Sequence, residues 1–378
     1  MGTPVPDRHA AVGVRTALAV LLACVFVLCA VGVSYSADIP IATIPVGDGP
    51  SAVAVDVVTN AVFVTDYNDD AVTVIDGVSD TVTATVPMPP TATQTFPIAV
   101  VTDPTRGLAY VADFWQGQVV QISEPGYSVT ASMPGAGSHG EAPRALAIDP
   151  ASTPPKLYVA NYGSDSVTVL NALTMARIAE IPVGDAPRAI AIFTSAGRRR
   201  VFVGNRYTNN VTIIDGDTGS VVGTVTLDGP PKAIAVNGAG GKAYVTVPAT
   251  DRVFVIGTTD TVVATITVGD NPVGIDFRSS QYGLVACYAG READVIDANT
   301  DSVVATVPTG PGPFNVTAAP LDAKWYVTNK LGSTVNVVSS GYGVTTVAVG
   351  AAPYQVAVNE LLAPREAYCS NFTSDTVT

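Results

Sequence analysis

Residues able to do acid–base or metal chemistry are sparse in this 378-residue chain, and the few present do not converge. The two histidines are His9 and His139, too few for a histidine-based metal site or a Ser-His-Asp triad. Cys24 and Cys29 lie inside a long apolar run. Cys287 and Cys369 fall in predicted strands two sequence repeats apart, a placement that suits small buried hydrophobes better than a disulfide. Asp66, Asp76, Asp113, Asp215 and Asp297 come singly at strand ends, as turn formers do, whereas calcium needs several oxygens in one place. These residues point to no metal, no cofactor and no catalytic residue.

One constellation has the spacing of a site. A Gly-rich turn ending in proline recurs at Pro50, Pro97, Pro143, Pro187, Pro231, Pro272, Pro313 and Pro353, at intervals of 47 down to 40 residues. The residues that follow these prolines are Ser51, Ile98, Arg144, Arg188, Lys232, Val273, Phe314 and Tyr354. Three consecutive repeats thus place a cation at an equivalent position in a chain with only 19 Lys and Arg. Grouped like charges repel one another and concentrate a positive field. Arg144 and Arg188 would grip a carboxylate or phosphate as fork donors, with Lys232 as a point charge. The competing expectation is local pairing with Glu141, Asp185 and Asp228.

The elements that must position these side chains are short strands. After each proline comes a strand of small apolar residues, such as Ala52-Val53-Ala54-Val55 or Ala189-Ile190-Ala191-Ile192, called a here. Small residues recur there because many such strands would crowd one axis. Strand b carries an aromatic and ends in Asp or Asn, as in Val62-Phe63-Val64-Thr65-Asp66 and Leu157-Tyr158-Val159-Ala160-Asn161. Strand c reads Val72-Thr73-Val74-Ile75-Asp76, and strand d reads Val263-Ala264-Thr265-Ile266. Four β-branched strands separated by turn residues, with no helical period, make one blade of an all-β propeller. Strand d stands alone at residues 41–46, seven full units follow, and a, b and c close the chain from Tyr354 to Thr378. The count implies eight blades, with the first strand completing the last blade and leaving no open edge. Seven blades and a spare unit are the alternative.

Tyr326-Val327-Thr328-Asn329, with Thr43-Ile44-Pro45-Val46-Gly47 and Ile181-Pro182-Val183-Gly184, gives the chain a resemblance to the prokaryotic YVTN-type β-propeller repeats of surface-layer and other exported proteins. The resemblance covers roughly residues 41 to 378 and implies the fold rather than a function. Other propellers differ in what they require. Haem-binding eight-bladed ones need axial histidines, quinone-cofactor ones carry a tryptophan in nearly every blade where this chain has Trp115 and Trp325, and streptogramin-lyase-like ones rely on a catalytic histidine. Lactonase-like propellers stay open on fold alone.

Arg8 and Arg15 precede an apolar run from Ala17 to Val33 that ends in Ser34, Tyr35, Ser36 and Ala37, the pattern of an export signal cleaved before Ala37 or retained as an anchor. The chain therefore divides into 1–36 as signal or anchor and 37–378 as propeller. Leu21-Leu22-Ala23-Cys24 has the look of a lipoprotein box, but the apolar run continues past it. A net charge of -13 disfavours nucleic acid, and membrane contact is expected only through the N-terminal segment.

Turns between strands b and c carry Tyr67, Phe114, Trp115, Tyr162, Tyr207 and Phe372, able to stack on sugars, anchor a partner or fill gaps between blades. The long loops Pro87 to Phe96 and Met133 to Ala142, the latter with His139 beside Glu141, would overhang the same mouth. Arg198-Arg199-Arg200 reads as a solvated hairpin tip on the opposite face, and Asn210, Asn315 and Asn371 begin glycosylation-type triplets. The resulting expectation is an exported, non-enzymatic binding or structural module at the cell surface, docking a protein or an anionic or neutral glycan on the mouth formed by the d–a and b–c turns. The rival is an enzyme, lactonase-like or lyase-like, acting on a small anionic substrate at the channel mouth, for which no general base is evident. A repeat array within a longer cell-envelope protein is a third expectation.

Overall fold

Eight antiparallel four-stranded sheets form a closed β-propeller in the computed structural model, which describes residues 38–89, 94–133, 141–195, 197–238, 240–361 and 365–378. The N-terminal apolar run with Cys24 and Cys29, and both His9 and His139, lie outside the described residues. Seven blades each use four consecutive strands, beginning with Pro50–Val55, Ala61–Asp66, Ala71–Asp76 and Thr81–Pro87. The eighth joins both ends of the propeller, in the order Ile44–Pro45, Thr376–Val377, Glu366–Asn371 and Pro353–Asn359, with Ile44 opposite Val377. This settles the blade number at eight and satisfies the edge that strand c would otherwise expose. The innermost strands adjoin one another around the ring, Pro353–Asn359 returning to Pro50–Val55.

The core lies between blades. Each buried apolar cluster spans two neighbours: Phe63 of blade 1 meets Val111 and Val120 of blade 2, and Phe202 of blade 4 meets Val245 of blade 5. The aromatic of strand b also braces the next blade through its hydroxyl. Tyr110 donates to the Ala172 carbonyl at 2.7 Å, Tyr158 to Gly216 at 3.1 Å, Tyr244 to Asp301 Oδ1 at 2.7 Å, and Tyr368 to Gly77 at 3.2 Å. A buried tyrosine is tolerated here because its one polar atom is always met. Cys287 and Cys369 are free and buried, as their spacing suggests.

Two sequence expectations need correcting. Asp76, Asp215 and Asp297 do cap turn amides, and so does Asp113. Asp66, by contrast, is fully buried and reaches across to strand c, accepting from Thr73 Oγ1 at 2.6 Å. Blades 3, 4, 7 and 8 place asparagine at this position, and each donates through Nδ2 to the residue seven places on: Asn161 to Thr168, Asn205 to Thr212, Asn329 to Asn336 and Asn371 to Thr378. In Asp66 the Oδ1 atom has no partner, and burial pushes the carboxyl up to about 7. A carboxyl raised in this way binds its proton more tightly folded than unfolded, so stability is lost as pH rises from about 4 to 7. Asp66→Asn is therefore expected to stabilise the protein at pH 8 by about 1–2 kcal/mol and to have little effect at pH 4, read from thermal unfolding at the two pH values.

The second correction concerns Arg198-Arg199-Arg200. They are not a solvated tip but begin strand b of blade 4, Arg198–Asn205, and tie three blades together. Arg198 and Arg200 share Asp260 of blade 5, Arg200 also meets Asp215, and Arg199 bridges Asp149 of blade 3 and Asp217. Such a network resists screening better than isolated surface pairs. The acids lie at strand ends and turns of blades 3, 4 and 5, none closer than 15 residues in sequence to its arginine partner, which is why proximity in sequence gave no sign of them.

Candidate functional site

The conformation of the d–a turn decides which way the residue after each proline points. Pro143 faces Asn161 and Ala145 faces Ala160, so Arg144 is the extra residue of a β-bulge. Arg188, Ser51, Ile98, Val273 and Tyr354 hold the same bulged position in their blades. A bulge leaves its extra residue out of the ladder and re-aims the side chain. Lys232 lies just before its regular strand and is fixed by its amide donating to the Thr246 carbonyl at 2.9 Å.

A second tier sits above the first. In blades 1, 3, 4, 7 and 8 the residue that opens the b–c turn donates its amide to the residue preceding the proline: Tyr67 to Gly49, Tyr162 to Ala142, Arg206 to Ala186, Lys330 to Gly312 and Phe372 to Ala352, at 2.8 to 3.1 Å. Gly49, Ala142, Ala186, Gly312 and Ala352 all have positive φ, from 45° to 68°, the turn that presents the carbonyl to that amide. The two tiers enclose a chamber of about 460 Å³ at the mouth of the channel. Its walls carry Arg144, Arg188, Lys232 and Lys330 from blades 3, 4, 5 and 7, with Tyr67, Tyr354 and Phe372 from blades 1 and 8. A second cavity of about 340 Å³ continues down the innermost strands of blades 5 to 8 past Phe314, Asn315 and Gln355. Lys232 and Tyr354 line both spaces and so form the throat between them.

Electrostatically the chamber is cationic and uncompensated. The acids expected to neutralise it are engaged elsewhere or turned away: Glu141 holds Arg177 at 2.7 Å, Asp228 holds Arg252, and Asp185 lies beside Asp165. Among the described residues no ion pair reaches Arg144, Arg188, Lys232 or Lys330. Aromatic faces take the place of carboxylates. Arg144 lies 5.8 Å from the Phe114 ring centre, Lys232 Nζ 5.2 Å from Phe314, and Lys330 Nζ 4.8 and 4.6 Å from Phe314 and Tyr354. Each such contact supplies only about 0.5–2 kcal/mol, less than a desolvated ammonium loses. Burial first, then the charges of Arg188, Arg144 and Lys330, pull the Lys232 ammonium down to about 7. Burial also lowers Arg188 and Lys330. Lys232 is thus a neutral amine for a large share of the time near neutrality.

Of the residues singled out from sequence, Arg144, Arg188, Lys232, Tyr67 and Tyr354 line the chamber, and Phe314 lines the cavity below. Tyr162, Tyr207 and Trp115 stand outside that lining. Tyr162 donates to the Tyr207 hydroxyl at 2.9 Å, and Trp115 meets Phe96 edge-on at 5.6 Å. The rings form a belt that joins neighbouring blades: Phe96 stacks on Tyr67 at 4.6 Å, Tyr67 meets Phe372, Phe372 meets Tyr354, and Tyr354 meets Phe314 at 4.9 Å. Sequence reasoning missed Lys330 and Arg206, although both directly follow the terminal asparagine of strand b. His139 lies outside the described residues, and Glu141 is buried against Arg177 rather than folded over the cations. Asn371 is buried and Asn315 bonded within the channel, so neither is placed as an open glycan acceptor.

No protein-family model matches the chain, and no curated protein matches it. Solved structures do. Dihydro-heme d1 dehydrogenase NirN in complex with DHE matches with a TM-score of 0.64 at 16% identity, covering 84% of this chain and 71% of that one. Hydrazine synthase from Kuenenia stuttgartiensis matches at 0.59 and 18% identity, covering 84% and 98%. A catalytically inactive histidine-to-alanine variant of virginiamycin B lyase from Staphylococcus aureus with quinupristin matches at 0.59 and 12% identity, covering 76% and 95%. Identity this low shows the propeller fold alone. The expectation of a non-enzymatic module is corrected to this extent, that it finds no support in these structures. The similar structures named above are all propeller enzymes.

Proposed function

We propose that the channel mouth is the active site of an enzyme that acts on a small anionic substrate, with the carboxylate or phosphate held by Arg144 and Arg188 and with Lys232 as the reacting base or nucleophile. The observation that carries this reading is a set of four cations with no acidic partner among the described residues, one of them a lysine poised near pH 7. A fold that gained only stability from these positions would neutralise them, as it does at Asp301 with Lys242 and at Asp260 with Arg200. Leaving them unpaired costs stability, and the cost is recovered when an anion enters. Arginine forks would fix the anion, the Lys330 charge would stabilise negative charge developing on the substrate, and the aromatic belt would exclude water. The lone pair of a neutral lysine can take a proton or attack a carbon, and a group with a pKa near the working pH does either well. Names such as lyase and dehydrogenase among the similar solved structures support an enzyme built on this fold without choosing the reaction or its place.

Binding is testable without knowing the reaction. A carboxylate at a hundred times its dissociation constant should stabilise the folded protein by about 2.7 kcal/mol. The shift in melting temperature should vanish in an Arg144→Ala/Arg188→Ala variant, while the neutral amide of the same compound should give none. Equal shifts from acid and amide, or a shift retained in the variant, would remove the anion site.

A further inference from the structure

We infer that Lys232 forms an imine with 2-oxo acids at the throat of the channel, which makes small oxo-carboxylates the substrate class of this site. The inference rests on the proposed anion-binding active site and deepens it. Three observations meet at one atom. Lys232 Nζ lies against the Phe314 ring at 5.2 Å, in a half-buried position where water is displaced from one side. It has no acidic partner among the described residues, whereas Lys156 and Lys242 bond carbonyls or carboxylates through their ammonium groups. Arg188 and Arg144, in the two preceding blades, occupy the equivalent mouth positions, so an anion they hold lies beside the amine.

That juxtaposition selects a carbonyl next to a carboxylate. A carboxylate gripped by the arginines presents the adjoining carbon to Lys232, and a desolvated lysine beside other cations has the free lone pair that carbonyl addition needs. In the step, the amine nitrogen bonds to the carbonyl carbon and the carbon–oxygen bond breaks. The two amine hydrogens leave with that oxygen as water, and no oxidant or reductant is consumed. The imine, once protonated, withdraws electrons from the neighbouring carbon, and the Arg188 and Lys330 charges favour the anionic forms that follow. The cavity past Asn315 and Gln355 leaves room for the rest of the molecule.

The test uses the full chain, pyruvate and cyanoborohydride, which reduces an iminium to a stable secondary amine. Intact mass should show one 1-carboxyethyl adduct per chain, and peptide mapping should place it on Lys232. Acetone, with the same carbonyl and no carboxylate, should label far less. The adduct should be lost in Lys232→Arg and weakened at least tenfold in Arg144→Ala/Arg188→Ala. Labelling spread over several lysines, equal labelling by acetone, or no adduct would overturn the imine. Thermal shift with lactate, an anion without the carbonyl, separates the two ideas: stabilisation by lactate without a pyruvate adduct sinks only the imine, and no stabilisation by either acid sinks the active-site reading as well.

Discussion

Lys232→Met is expected to make the protein more stable and less active at once. In the unfolded chain this lysine holds its proton up to about 10.5, in the folded protein only up to about 7. Between those values the unfolded state carries the extra proton, so stability rises with pH through that window and the full cost is felt below about 7. Methionine fills the space of the lysine stem and brings no charge between Arg188 and Lys330. After allowance for partial exposure, the gain at pH 7 is about 2 kcal/mol. The loss of the Lys232 contact with Phe314 takes back less than about 1 kcal/mol, so the sign holds. Thermal melts of both proteins from pH 6 to 10.5 should show the variant's advantage shrinking to nothing at the alkaline end. Turnover of an anionic substrate should fall by about 10²–10⁴-fold, as for removal of a base or nucleophile. A variant less stable than the parent at every pH would mean that Lys232 is charged and compensated, and the site would lose its reactive group. Gained stability with lost activity is the usual mark of a functional position rather than a packing one.

The propeller was legible because its rule is local and repeated. A proline after a Gly-rich turn, a small-residue strand and an aromatic strand, ending in Asp or Asn in six of the eight repeats, recur from Pro50 to Pro353. Even the closure of the ring followed from counting strands, and Ile44 does pair with Val377. The first tier of the mouth was legible for the same reason, since the bulge that aims Arg144 and Arg188 is set by the proline itself. The second tier obeys an equally simple rule, one place after strand b, but a search for aromatics alone passes over Lys330 and Arg206. The state of Lys232 was not legible at all. It depends on where Glu141 and Asp228 do not go, and their partners Arg177 and Arg252 lie in other strands of the folded blade. A charge acts through its surroundings, and sequence shows the charge but not what faces it.

Trp325→Ala should be among the most damaging single changes outside the mouth, costing about 3–5 kcal/mol in chemical or thermal unfolding. Trp325 is fully buried on strand b of blade 7, Lys324–Asn329, where it packs with Leu284, Val295 and Val307 of blade 6. On its face lies the Arg278 guanidinium, 3.9 Å from a ring centre, and Arg278 is itself buried with its nitrogens donating to the Ala323 carbonyl at 2.7 Å and the Ser340 carbonyl at 3.4 Å. Removing the indole would open a cavity between two blades and strip a buried cation of the surface that stabilises it, so the cost falls toward the upper part of that range. Trp325→Phe separates the two contributions. The indole Nε1 is buried without a hydrogen-bond partner, so phenylalanine gives up no polar contact and keeps an aromatic face under Arg278. Its cost should be about 1–2 kcal/mol, set by lost volume alone. If the phenylalanine variant were as unstable as the alanine one, the guanidinium–ring contact would not be what holds blade 6 to blade 7. If both were mild, the joint would rest on the strand b hydroxyl struts and ion pairs that brace the other blades. Neither substitution touches the mouth, and additivity across the ring predicts that anion binding at Arg144 and Arg188 survives both.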